Sequence, residues 1–138
     1  MYQKNWLEQV QRRASRFATK TYSTQEGCVT QALNYLNWPT LEHRRKVNRL
    51  IFMYKTLHGQ AAISIPPFVK HQTVTKLRNS DAMKFIRVQT SCDEYKYSFW
   101  PRTINDWKRL PPNIINLTST SNFKVAVNNY ISTQERSR

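Results

Sequence analysis

Only two glycines, two cysteines and eight acidic residues occur in the 138-residue sequence, and each scarcity removes a class of function. Gly27 and Gly59 stand far apart, so no glycine-rich loop can wrap a nucleotide pyrophosphate. Cys28 and Cys92 lack a CxxC companion, which removes a zinc ribbon and a disulfide framework; both are expected to be reduced and partly buried. The aspartates, Asp81, Asp93 and Asp106, are scattered, whereas two-metal nucleotidyl transfer needs carboxylates gathered around its cations. Asp93-Glu94 is an adjacent pair whose side chains point apart on a turn, so it reads as a solvated turn. His43, His58 and His71 lack the i, i+4 spacing of a helical zinc pair, and His43 and His58 are expected to pack at helix ends. No G-x-S-x-G elbow exists and neither cysteine has a histidine near it in sequence. The expectation is a chain without catalytic site, metal or cofactor. No uncharged apolar run is long enough to cross a bilayer and no apolar signal region follows Met1–Trp6, so a membrane is not an expected partner and an intracellular setting is. The sequon Asn116-Leu117-Thr118 is then a chance match.

What the sequence has in abundance is positive charge. Lys and Arg number 22 against 8 Asp and Glu, a formal charge of +14 with a pI near 10.3. Such a balance destabilises a compact state through self-repulsion unless polyanions neutralise it, which points to RNA or DNA as the partner. A hydrophobic share of 39% suffices for a core.

Periodicity predicts a mainly α fold of about five helices, with a long irregular excursion and a short β-hairpin. Trp6, Val10, Ala14 and Phe17 recur at helical spacing over residues 4–20, with Arg12, Arg13, Arg16 and Lys20 gathered on the other side as an outer cationic stripe. Ser23 and Glu26 have capping-box spacing ahead of a second helix carrying Val29, Ala32, Leu33 and Leu36. Thr40 can cap a third helix that runs to about His58 before Gly59, with Val47, Leu50, Ile51, Tyr54 and Leu57 as its apolar stripe. Arg44, Arg45, Lys46 and Arg49 project mostly away from that stripe, and cations at a helix start oppose the macrodipole, a penalty an external anion would remove.

Beyond Gln60 the periodicity fades. Lys84-Phe85-Ile86-Arg87-Val88 and Tyr95-Lys96-Tyr97-Ser98-Phe99 each alternate polar with apolar residues, the period of a half-buried strand, and predict the two arms of the hairpin. Pro101 suits the first turn of a short fourth helix with Ile104, Trp107 and Leu110 inward, closed by Pro111-Pro112. A last helix capped by Ser119 or Ser121 carries Phe123, Ala126, Val127 and Tyr130, with a polar tail from Thr133 expected to fray. The organisation read from this pattern is a basic three-helix segment (1–59), an irregular connector (60–94), an aromatic strand with two short helices (95–132) and a frayed tail (133–138). Trp6, Trp38, Tyr54 and Trp107 are expected in the core. Lys96 between Tyr95 and Tyr97, followed by Phe99, Trp100 and Arg102, mixes cations with rings able to stack bases, although rings at this density also serve as core. The candidate contacts to nucleic acid are thus Arg12, Arg13, Arg16, Lys20, Arg44, Arg45, Arg49, Lys96 and Arg102.

Several longer runs add a family resemblance. Leu7-Glu8-Gln9-Val10-Gln11-Arg12-Arg13-Ala14-Ser15-Arg16-Phe17, Leu36-Asn37-Trp38-Pro39-Thr40-Leu41-Glu42-His43-Arg44-Arg45, Tyr54-Lys55-Thr56-Leu57-His58-Gly59 and the run from Tyr95 to Pro111 (YKYSFWPRTINDWKRLP), with Ser121-Asn122-Phe123-Lys124 after it, follow one another over nearly the whole chain. In order and spacing they resemble the C-terminal thumb and post-thumb region of a LINE-type, jockey-like non-LTR retrotransposon reverse transcriptase. That resemblance implies contact with template, primer or element RNA, and packing against upstream reverse transcriptase domains. It also implies a place in the nucleus or in a cytoplasmic ribonucleoprotein. The fingers, palm and paired aspartates of an RNA-directed DNA polymerase would precede Trp6, so catalysis is expected of a parent protein; a translated remnant of a truncated element, or a protein-interaction module, is the alternative.

Overall fold

Three residues with left-handed backbone, Lys20 (φ 53°), Asn37 (φ 52°) and Gly59 (φ 66°), end the first three helices of the computed structural model, which describes residues 2–70, 85–86, 88–89 and 92–136. Each closes its helix by the same device, in which the next backbone N–H reaches back five residues. Thr21 donates to the Arg16 carbonyl at 3.1 Å, Trp38 to Leu33 at 2.9 Å and Gln60 to Lys55 at 2.8 Å, the outer bond of a Schellman motif. Only Gly59 takes the left-handed conformation without steric cost.

Among the described residues there are seven helices: α1 (Tyr2–Thr19), α2 (Cys28–Tyr35), α3 (Leu41–Leu57), α4 (Asp93–Lys96), α5 (Phe99–Trp107), α6 (Pro112–Ile115) and α7 (Thr120–Arg136). The fold is mainly helical, as the periodicity predicts. The hairpin is not found among the described residues. Its second arm is helical instead: Tyr95 and Lys96 belong to the single turn of α4, and α5 starts at Phe99, two residues before Pro101. Five residues of alternating polarity fit a strand and a helical turn alike, and the Lys96 N–H bond to the Cys92 carbonyl at 3.1 Å closes the turn. Of the first arm, Lys84 and Arg87 lie outside the described residues, while Phe85 is fully buried and the Ile86 N–H donates to the Lys70 carbonyl at 2.9 Å.

The chain forms two compact units, residues 1–45 and 46–138, with the division inside α3. In the first, α1 packs on α2 through a polar face. Gln11 and Ser15 are buried and Glu8 and Thr19 half-buried, whereas Trp6, Val10, Ala14 and Phe17 are exposed. The expected orientation of α1 is therefore reversed, and Trp6, 73% exposed, and Trp38, also exposed, are not core residues. Local bonds make the polar face tolerable to bury: Ser15 Oγ donates to the Arg12 carbonyl, Thr19 Oγ1 to that of Ser15, and Gln11 Nε2 to that of Pro39, all at 2.9 Å. The Ser23–Glu26 capping box is also absent. Gly27 (φ 84°) stands at the N-cap of α2 without a side-chain cap, and Ser23 Oγ accepts from the Gln25 N–H at 3.1 Å, a local turn that competes with helix initiation.

The second unit holds the apolar core. Leu50, Met53 and Tyr54 of α3, Ile104 and Trp107 of α5, Ile114 of α6, and Phe123, Val127 and Ile131 of α7 are buried together with Val69 and Phe85. Tyr54 stacks on Phe123 at 4.1 Å and on His58 at 4.0 Å, and Trp107 lies 5.7 Å from Phe123, so three helices meet through rings. The Tyr54 hydroxyl donates to the Leu117 carbonyl at 2.6 Å, and burial raises its pKa above the ordinary 10.0. Residues Thr133–Arg136, expected to fray, continue α7, where Thr133 Oγ1 donates to the Asn129 carbonyl at 3.0 Å and Gln134 Nε2 to the Tyr130 hydroxyl at 2.7 Å.

Candidate nucleic-acid interface

The nine predicted contact residues divide between the two units. Arg12, Arg13 and Lys20 in and after α1, and Arg44 in α3, are exposed and their side chains meet no carboxylate among the described residues. Arg16 is half-buried, with its Nε buried and without a hydrogen-bond partner. Arg45 is exposed but engaged: its Nε donates to the Leu41 carbonyl at 3.0 Å and its Nη2 lies 3.8 Å from Glu8.

Glu8 changes the electrostatics of this end of α3. Its carboxylate accepts from the backbone N–H groups of Leu41 at 3.3 Å and Glu42 at 3.0 Å, while Thr40 Oγ1 accepts from the His43 N–H at 3.1 Å. Thr40 is the cap the sequence predicts. Glu8 is the anion that the cations Arg44 and Arg45 were expected to draw from outside, and it comes from α1 of the same unit. Sequence reasoning missed it because nothing in a spacing of more than thirty residues marks a cap.

In the second unit Arg49 is removed from the set of free cations. Its Nη2 lies 3.0 Å from Asp106 Oδ2, and its side chain is only 15% exposed, so it joins α3 to α5. Lys96 is exposed, 3.8 Å from Asp93 Oδ1, with its Nζ 5.4 Å from the Tyr97 ring centroid, a surface arrangement that leaves its charge available. Arg102 is half-buried on α5. The aromatic run around it divides by helical periodicity: Trp100 packs against the core, Phe99 meets Phe52 edge-on at 5.5 Å, and Tyr97 is exposed.

Exposed rings that sequence analysis assigned to the core, or left unassigned, accumulate in the first unit. Trp6, Phe17, Tyr22 and Tyr35 are each more than two-thirds exposed. Tyr35 also borders a recess of about 440 Å³ between the end of α1 and one face of α2. Among the described residues no cluster of His, Cys, Asp and Glu could hold a metal ion, and no helix is long and apolar enough to cross a membrane. Cys28 is buried and Cys92 exposed; both are free thiols. No protein-family model, curated protein or solved structure matches the chain.

Proposed function

We propose that the chain is a non-catalytic nucleic-acid-binding segment, the thumb and post-thumb region of a LINE-type reverse transcriptase. The observation that carries the reading is the set of exposed, carboxylate-free cations Arg12, Arg13, Lys20 and Arg44 on a chain of formal charge +14. Guanidinium and ammonium groups that meet no carboxylate among the described residues suit sequence-independent contact with phosphate oxygens. Arg45 in the first unit and Lys96 in the second add further charge, while Arg49 serves the fold. The resemblance of the runs around Arg12, Arg44 and Trp107 supports the assignment to a reverse transcriptase. In that setting the partners are template, primer or element RNA together with the upstream polymerase domains.

The test is a salt titration of binding to labelled duplex DNA and RNA. The logarithm of the affinity is expected to fall linearly with the logarithm of salt concentration, with a slope of about −0.9 per phosphate neutralised on duplex DNA. The double variant Arg12→Glu with Arg44→Glu should lower that slope by about two. A flat salt response would sink the reading.

One observation favours a second reading, a protein-docking role. The exposed stripe of Trp6, Leu7, Val10, Ala14 and Phe17 along α1 is apolar surface of the kind that partners cover. A salt-insensitive complex with a protein, unaffected by reversal at Arg12 and Arg44, would support it instead.

A further inference from the structure

The recess between α1 and α2 is built unlike the rest of the first unit's surface. Cys28, Gln31, Ala32 and Tyr35 fall at i, i+3, i+4 and i+7, so one face of α2 looks into it, and Ala18 and Thr21 from the end of α1 form the opposite side. The small buried side chains Cys28 and Ala32 leave an apolar floor. Tyr35 is 84% exposed, which leaves a ring face free at the mouth, and the Gln31 amide offers one donor group and one acceptor. Thr21 Oγ1 donates to the Thr19 carbonyl at 3.1 Å and so keeps its lone pairs for accepting.

A volume of about 440 Å³ lies within the range of small-ligand sites, and an open recess lined by both apolar and polar groups suits a flat ring whose faces are apolar and whose rim is polar. A nucleobase has this character. The charge beside the recess selects one that carries phosphate. Lys20 is exposed at the left-handed turn between Ala18 and Thr21, two residues that line the recess. Bases in a duplex are paired and stacked and cannot enter; those of a single strand can.

We infer that the recess holds one unpaired nucleobase stacked on Tyr35, with its phosphate drawn by Lys20, so that the chain prefers single-stranded to duplex nucleic acid. The inference rests on the nucleic-acid reading above and deepens it from phosphate contact to a base-sized site.

The experiment is fluorescence anisotropy of the full chain with labelled oligo(dT) and a labelled blunt duplex of equal length at one salt concentration. Tyr35→Ala removes no core contact, and it is expected to weaken oligo(dT) binding roughly 5- to 150-fold, the range for loss of one stacked base, while duplex affinity stays unchanged. Tyr35→Phe keeps the ring and should keep the affinity. Unaltered oligo(dT) binding by Tyr35→Ala, or equal losses on strand and duplex, would overturn the inference while leaving the phosphate reading in place. If the unaltered chain binds neither probe at any salt concentration, both fail.

Discussion

The Glu8 carboxylate accepts a hydrogen bond from the backbone N–H of Glu42 at 3.0 Å, so one acidic residue caps the helix on which another stands in the first turn. The bond joins α1 to the start of α3 and places negative charge where the helix dipole favours it. Glu8→Ala is expected to destabilise the first unit by about 1 kcal/mol, the usual cost of a lost cap, read from the urea midpoint. The same change leaves Arg45 without its internal counter-charge and should tighten duplex binding a few-fold. Stability and affinity moving in the same direction would contradict the assigned role.

Arg49 and Arg12 are both cations on helices, yet their variants should behave differently. Arg49→Ala leaves Asp106 largely buried without its partner, a loss expected to cost about 3 kcal/mol, with the salt slope of binding unchanged in whatever fraction remains folded. Arg12→Ala should leave the unfolding midpoint in place and lower the salt slope by about one. Paired denaturation and salt titrations separate the two.

Tryptophan variants test the reversed orientation of α1. Trp107→Ala opens a cavity in the core of the second unit and is expected to cost about 3–5 kcal/mol. Trp6→Ala at an exposed site should change stability by no more than about 0.5 kcal/mol. A large loss from Trp6→Ala would place the apolar stripe of α1 in an interior.

Lys20 closes α1 in a conformation that suits glycine. Lys20→Gly is expected to raise stability by up to about 1 kcal/mol in thermal or urea unfolding, while removal of the charge weakens nucleic-acid binding. A loss of stability would show that the lysine side chain contributes more than the left-handed backbone costs.

Tyr54 gives the pH dependence. Its neutral form is favoured in the folded state, so its folded pKa lies above the unfolded value of 10.0. The folded state therefore holds the proton more tightly, and the stabilisation is complete below pH 10 and lost as pH rises through the folded value. Denaturation midpoints followed upward from pH 9 should fall once pH passes 10.0, and Tyr54→Phe should remove that part of the decline. The same variant loses the hydroxyl bond to Leu117, so it should also be less stable at neutral pH.

Local rules read well where the local pattern has one solution. The stripe Val47, Leu50, Tyr54 and Leu57 is long and strictly periodic, Gly59 closes α3, Pro111-Pro112 separates α5 from α6, and Phe123 and Val127 face the core as spaced. The run from Tyr95 to Phe99 failed because five residues satisfy two periods equally, and the helical turn is closed by the Lys96 N–H bond to the carbonyl of its N-cap, Cys92. The charges of Arg12, Arg13, Lys20 and Arg44 are legible as a candidate surface from composition; which cations stay free of carboxylates is not, because a pairing such as Arg49 with Asp106 joins residues from separate helices.

The sequence by itself determined the mainly helical fold, the aromatic core of the second unit and the excess of positive charge, because periodicity, helix stops and net charge are properties of neighbouring residues and of sums. Only the tertiary structure decided that α1 buries Gln11 and Ser15 rather than its apolar stripe, that Glu8 supplies the anion at the start of α3, and that Tyr35 borders the recess between α1 and α2. Those outcomes depend on which face finds a complementary neighbour, and an amphipathic helix carries two faces without stating which of them will be covered.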